Sequence, residues 1–161
     1  MFKGLLDFLI QKVKSGEIII LDKVNDELLS SDLNEFKVAI KDLIINSLVV
    51  FNEVGDLIEK YRILENEKLI DDQDKINAEL ELYETKYADL FLVAYANKLK
   101  SEGKKVLLIT EEKFGKEGKL IPKIPIICKK ENENTHCRNM PFALFEFYNE
   151  ELEFSLNINS K

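Results

Sequence analysis

Long apolar runs are missing from this 161-residue chain. Runs such as Ile18 to Leu21, Ile124 to Ile127 and the longer Leu90 to Ala96 fall far short of the roughly 20 residues a membrane-spanning helix requires. No N-terminal stretch has the charged, apolar and small-residue order of a secretory signal, so the expectation is a cytoplasmic protein with no membrane partner. Histidine occurs once, at His136, which leaves no Ser–His–Asp set to argue for, and no nucleophile-elbow glycines stand beside a serine. Glycine is scarce too. Gly115 and Gly118 sit in a lysine-rich loop without the preceding strand and following helix that a phosphate-binding loop needs. The two cysteines, Cys128 and Cys137, are expected as free, mostly buried thiols in an intracellular chain. With His136 they offer three ligands where zinc takes about four. There is no internal repeat, low-complexity tract or linker, so one domain over residues 1–161 is the economical reading.

What is present is charge. One residue in three is charged and the net charge is −7, which taken whole argues against non-specific nucleic-acid binding. The distribution is uneven. Between Lys98 and Lys130, ten lysines face four glutamates, so that segment stands at +6 and the remainder at −13. A basic segment of this kind is suited to a phosphate backbone, although solvated lysines on a loop and a helix end would give the same pattern.

In chain order, Phe2, Leu5, Leu6, Leu9, Ile10 and Val13 are spaced as one face of a helix, and Ser15-Gly16 stops it. Glu17 to Leu21 reads as a buried parallel strand, and Asp22 to Leu29 as a brief helix containing Asp26 and Glu27. A helix follows from about Asp32, where Asp32 and Glu35 are spaced like a capping box. Ser47 to Phe51 reads as a second strand. Val54 to Tyr87 is charged and helical, broken near Asp71-Asp72-Gln73-Asp74 by helix caps. The most apolar helix runs from Asp89 to about Lys100, ended by Gly103, and Lys105 to Thr110 is the clearest strand. A Gly- and Lys-rich loop then leads to Pro122 and Pro125, which predict an extended path near Ile124 to Cys128. Lys129 to Thr135 reads as a polar loop, Pro141 to Tyr148 as a short helix and Glu153 to Ile158 as an edge strand. Strands alternating with helices predict an α/β domain with a mainly parallel central sheet flanked by helices.

Ligands of an open parallel sheet bind beyond the carboxyl ends of its strands. Glu27 follows the first strand, Glu111 and Glu112 follow the Val106–Thr110 strand, and Asp89 opens a helix facing that edge. Carboxylates so grouped are the ligands that Mg²⁺ or Mn²⁺ takes, and such ions serve phosphodiester cleavage. Each acid alone has a plainer role: Asp89 complements the helix dipole, and Glu27 is an ordinary surface carboxylate.

Three segments go further. Ala88-Asp89-Leu90-Phe91-Leu92-Val93-Ala94-Tyr95-Ala96, Leu108-Ile109-Thr110-Glu111-Glu112-Lys113 and Lys123-Ile124-Pro125-Ile126-Ile127-Cys128 resemble PIN-domain proteins, and Val24-Asn25-Asp26-Glu27-Leu28 resembles the segment that carries their second acid. The resemblance covers most of the chain in outline, its specific part lying between about residues 87 and 142. It implies a compact α/β nuclease that cuts RNA with acidic residues around Mg²⁺ or Mn²⁺, in many relatives a toxin held by an antitoxin protein, and often a homodimer. Carried over by position, Glu27, Asp89 and Glu112 match the second, third and fourth acids, with Glu111 the neighbouring alternative. Lys104, Lys105, Lys113, Lys116 and Lys119 are the candidates for holding the RNA backbone. The chain departs from the family where it opens: the short strand ending in Asp, source of the first acid, is not found, and Asp7 sits inside a helical pattern. That departure motivates a second expectation, a catalytically silent PIN-like module that binds a protein partner or its own copy. A nucleotide-binding regulatory domain is a third, weakened by the absent glycine-rich loop.

Overall fold

The computed structural model describes residues 3–28, 34–112, 120–131, 136–141 and 143. Helix α1 (Lys3–Lys14) buries Leu6 and Val13 against Phe36 and Ile40 of α3 (Asn34–Ile40), making the smaller of two apolar clusters. It ends as its sequence dictates, with Gly16 at φ +78°, a conformation glycine enters without a Cβ clash. The predicted capping residue Asp32 lies outside the described residues.

The first predicted strand shrinks to a single parallel bridge. Leu21 lies opposite Ile45, with Asp22 N–H donating to the Ile45 carbonyl at 3.0 Å and Ile45 N–H to the Ile20 carbonyl at 2.9 Å. The shortening has a local cause. Ile18 N–H is turned back onto the Lys12 carbonyl (3.0 Å), and α2 (Asp22–Glu27) begins at once, so little chain is left to pair.

The second predicted strand is a correction. Ser47–Val50 is a turn of 3₁₀-helix running directly into α4 (Phe51–Tyr61). The Asn46 side chain accepts from Leu48 N–H at 2.9 Å, capping that turn as an N-cap residue does. Val50, Val54, Leu57, Ile58 and Tyr61 then bury one helical face while Leu48, Val49 and Phe51 stay exposed. The β-branched composition of 47–51 loses to the helical period that continues from it.

After the short α5 (Leu64–Glu67) comes α6 (Gln73–Thr85). The Asp72 carboxylate caps it, accepting from Asp74 N–H at 3.1 Å and Lys75 N–H at 3.3 Å. The central helix, α7 (Ala88–Ser101), packs against α2, the 3₁₀ turn, α4, α6, β1 (Leu107–Ile109) and α8 (Ile124–Glu131). It is apolar on most sides for that reason: Leu90, Phe91, Val93, Ala94 and Ala96 are all buried in the larger cluster, together with Leu21, Leu108, Ile124 and Ile127. Gly103 closes α7 at φ +81°, and a Cβ added there would meet nothing within 4 Å. A Gly103→Ala variant therefore meets no neighbouring side chain and costs only the strain of a Cβ at positive φ, about 1–2 kcal/mol, read as a lower urea midpoint at unchanged slope; an unmoved midpoint would mean the turn can relax.

Two further predictions are corrected here. The expected central sheet is, among the described residues, a two-stranded parallel pair flanked by helices, β1 with β2 (His136–Arg138), in the register Leu107–His136, Leu108–Cys137 and Ile109–Arg138. The segment expected to be extended around Ile124 to Cys128 is helix α8. Pro125 lies in its first turn, where no intrahelical N–H bond is required, and the Lys123 carbonyl accepts from Ile126 and Ile127 N–H at 2.9 and 3.1 Å. Lys129–Glu131 continue this helix rather than opening a loop. Met140, Pro141 and Ala143 are helical, as expected of that segment; the rest of it and the expected strand at 153–158 lie outside the described residues. No described helix is long and apolar enough to cross a membrane.

Candidate functional site

Two of the sequence-predicted acids, Glu27 and Asp89, meet at the amino end of α7. Tyr87, the residue before it, provides no side-chain cap. The cap comes instead from across the fold: Glu27, the last residue of α2, accepts from Ala88 N–H through Oε1 at 3.0 Å. The first N–H groups of a helix have no intrahelical partner, and the helix dipole favours negative charge beside them. Asp89, half-buried, is the next residue along. Two carboxylates from separate segments thus flank one helix terminus.

Glu112 arrives from the other side. Past the end of β1, its backbone N–H donates to Thr110 Oγ1 at 3.1 Å, and its Oε2 accepts from Ile124 N–H at 2.8 Å, capping α8. Glu112 and Asp89 act on one buried group, the Tyr83 hydroxyl of α6. Burial pushes that phenol well above its ordinary value, and the negative charges of Glu79, Asp89 and Glu112 push it further. Tyr83 packs edge-on against Tyr87, centroids 5.2 Å apart and planes at 73°. Glu111 goes elsewhere: exposed, it accepts from Met140 N–H at 3.0 Å.

Sequence reasoning missed two neighbours. Tyr83 was legible only as a member of the apolar face of α6, since spacing carries no sign of where its hydroxyl lies. Lys23 was not singled out at all. Its ammonium lies 5.4 Å from the centroid of the Phe91 ring and donates to the Thr85 carbonyl at the end of α6. It brings positive charge onto α7 two residues past Asp89.

The candidate lysines divide. Lys104 and Lys105 are exposed and precede β1, whereas Glu111 and Glu112 follow it. Lys104 pairs with Glu102 at 2.9 Å. Since α7 spans 14 residues, or about 21 Å at 1.5 Å per residue, these two lysines lie a helix length from Asp89. The structure does not bring them to the acids. Lys113, Lys116 and Lys119 lie outside the described residues.

As donors for a hard divalent cation, Glu27, Asp89 and Glu112 fit in kind, being carboxylates. Among the described residues no three His, Cys, Asp or Glu side chains stand close enough together to hold an ion. Glu27 and Glu112 each spend one oxygen on a helix terminus.

A family model described as a domain of unknown function (DUF4411) matches residues 1–140. No curated protein and no solved structure matches the chain.

Proposed function

We propose, starting from a chain that belongs to the DUF4411 family, that it is a PIN-type endoribonuclease working with Mg²⁺ or Mn²⁺. The observation that supports this reading is the meeting of two acids from separate segments at one helix terminus: Glu27 on the first N–H of α7, and Asp89 the next residue along. An ion held by Asp89 and its neighbours would supply an activated water and neutralise phosphate charge. The chain's own residues then have separable roles. Glu27 and Glu112 cap α7 and α8 while keeping one oxygen each for other work. Lys23 supplies a cation at the same helix for an RNA phosphate, in place of the distant Lys104 and Lys105. The reading extends to a cytoplasmic toxin restrained by an antitoxin protein, and to a homodimer.

The test is cleavage of a single-stranded RNA by the purified chain with Mn²⁺, with Mg²⁺ and with EDTA, alongside calorimetric titration of Mn²⁺. Cleavage that requires metal supports the reading, and cleavage undiminished by EDTA overturns it. Neither cleavage nor Mn²⁺ heat supports the second reading, a catalytically silent module that binds a protein partner. That alternative is favoured by the engagement of Glu27, Glu111 and Glu112 with backbone N–H groups, which gives each a purely architectural use. The exposed apolar side chains of Leu48, Val49 and Phe51 would be its contact surface.

A further inference from the structure

Cys128 and Cys137 are brought together by two elements that pack on each other, α8 and β2. Cys137 stands opposite Leu108 in the parallel ladder. Residues paired across a ladder project to the same face, and Leu108 is buried, so Cys137 faces the core. Cys128, 2% exposed, lies in that core, and Cys137 packs against it half-buried. The Cys128 thiol donates a hydrogen bond to the Cys137 sulfur, holding Cys137 below the ordinary thiol range, with burial acting the other way. Both cysteines are free thiols.

We propose that Cys128 and Cys137 form an oxidation site that closes to a reversible intramolecular disulfide, with Cys137 the thiol reached by oxidant and Cys128 the resolving thiol. The oxidant is a hydroperoxide. The Cys137 sulfur attacks the distal peroxide oxygen, the O–O bond breaks and, with hydrogen peroxide, water leaves, giving a sulfenic acid at Cys137. The Cys128 sulfur then attacks that sulfur, an S–S bond forms, and the sulfenic oxygen departs as a second water carrying the Cys128 proton. Two thiols are oxidised by two electrons and one peroxide is reduced to two waters. Burial assigns the roles: Cys128 is screened from solvent, while Cys137 keeps partial access. Both side chains sit in one core on elements that pack together, so closure asks for side-chain movement toward an ordinary S–S bond of about 2.05 Å, not a rearrangement of the fold.

Closure has a structural reach. Helix α8 is held at its first N–H by Glu112, and the new bond would fasten it to β2 through Cys128. The proposal owes nothing to the nuclease reading, since it predicts the same chemistry whether or not the protein cleaves RNA.

The experiment treats the purified full chain with hydrogen peroxide and follows intact mass and thiol alkylation under denaturing conditions. The expected product is a monomer lighter by two hydrogens, with no alkylatable thiol, returned to two by dithiothreitol. A non-reducing peptide map should join the peptides of Cys128 and Cys137. Cys128→Ser should instead gain oxygen at Cys137, and Cys137→Ser should leave Cys128 unmodified. Wild-type protein that gains oxygen without losing hydrogen, that joins chain to chain, or that keeps both thiols alkylatable would overturn the proposal. The wild-type mass and map decide the matter even if a serine variant fails to fold.

Discussion

Replacing Phe91 by alanine is expected to cost about 3–5 kcal/mol of folding stability, a large share of the roughly 5–15 kcal/mol that holds a domain folded. Phe91 is fully buried, at 0% exposure, in the first turn of α7. The size of the effect follows from what surrounds it. Helix α7 is packed by α2, α4, α6, α8 and β1, so no single neighbour can move in to fill the space without leaving another. The cavity term therefore stays close to its maximum. A second loss is specific to this ring: the Lys23 ammonium, 5.4 Å from its centroid, would keep only the Thr85 carbonyl. Urea unfolding followed by circular dichroism measures the change. A cost below about 1 kcal/mol would mean that the core relaxes far more than its packing suggests.

Asp89→Asn is expected to lower metal-dependent RNA cleavage by at least 10²–10³-fold, on the order of the loss of one charge-stabilising group in an active site. The substitution keeps size and shape but removes the negative oxygen that a hard cation requires. Stability should move little, because the favourable term lost at the helix amino end is about 0.3–1 kcal/mol. Unchanged melting with lost cleavage would locate the effect in chemistry. Lys105→Ala, at the opposite end of β1, supplies the contrast, with activity retained. Wild-type cleavage rates in Asp89→Asn would sink the assignment of Asp89 to the site.

Most helices were legible in the sequence because their apolar spacing agrees with their burial; α8 was not, because Pro122 and Pro125 read as extended chain. Val54, Leu57, Ile58 and Tyr61, and Leu90, Phe91, Val93 and Ala94, are all buried as their period requires. Among the strands, the one expected at Lys105 to Thr110 is β1 (Leu107–Ile109); the others were not legible, for three different reasons. Ile18 to Leu21 has the composition of a strand, but its start is held by α1. Ser47 to Phe51 has it too, but a side-chain cap at Asn46 begins a helical turn. His136-Cys137-Arg138 does pair, and shows no apolar run or alternation that would announce it. At the site, position along the chain identified Glu27, Asp89 and Glu112 as acids at the ends of elements. Their actual bonds, to N–H groups of helices α7 and α8, join residues 61 and 12 positions apart and have no local sequence signature. Charge density grouped Lys104 and Lys105 with the acids, but the two lysines follow the carboxyl end of α7 while Asp89 stands at its amino end.

The same central helix sets an order of events during synthesis. Helix α4 and the preceding 3₁₀ turn bury Val50, Val54, Leu57 and Ile58 in a cluster whose other wall includes Leu90, Phe91, Val93 and Ala94 of α7. A ribosome adding about 5–20 residues each second releases those first side chains well before the residues that cover them. The nascent amino-terminal half therefore spends a measurable interval with its apolar face unshielded. Its protection in that interval falls to whatever accompanies the emerging chain, and it ends when α7 clears the exit tunnel.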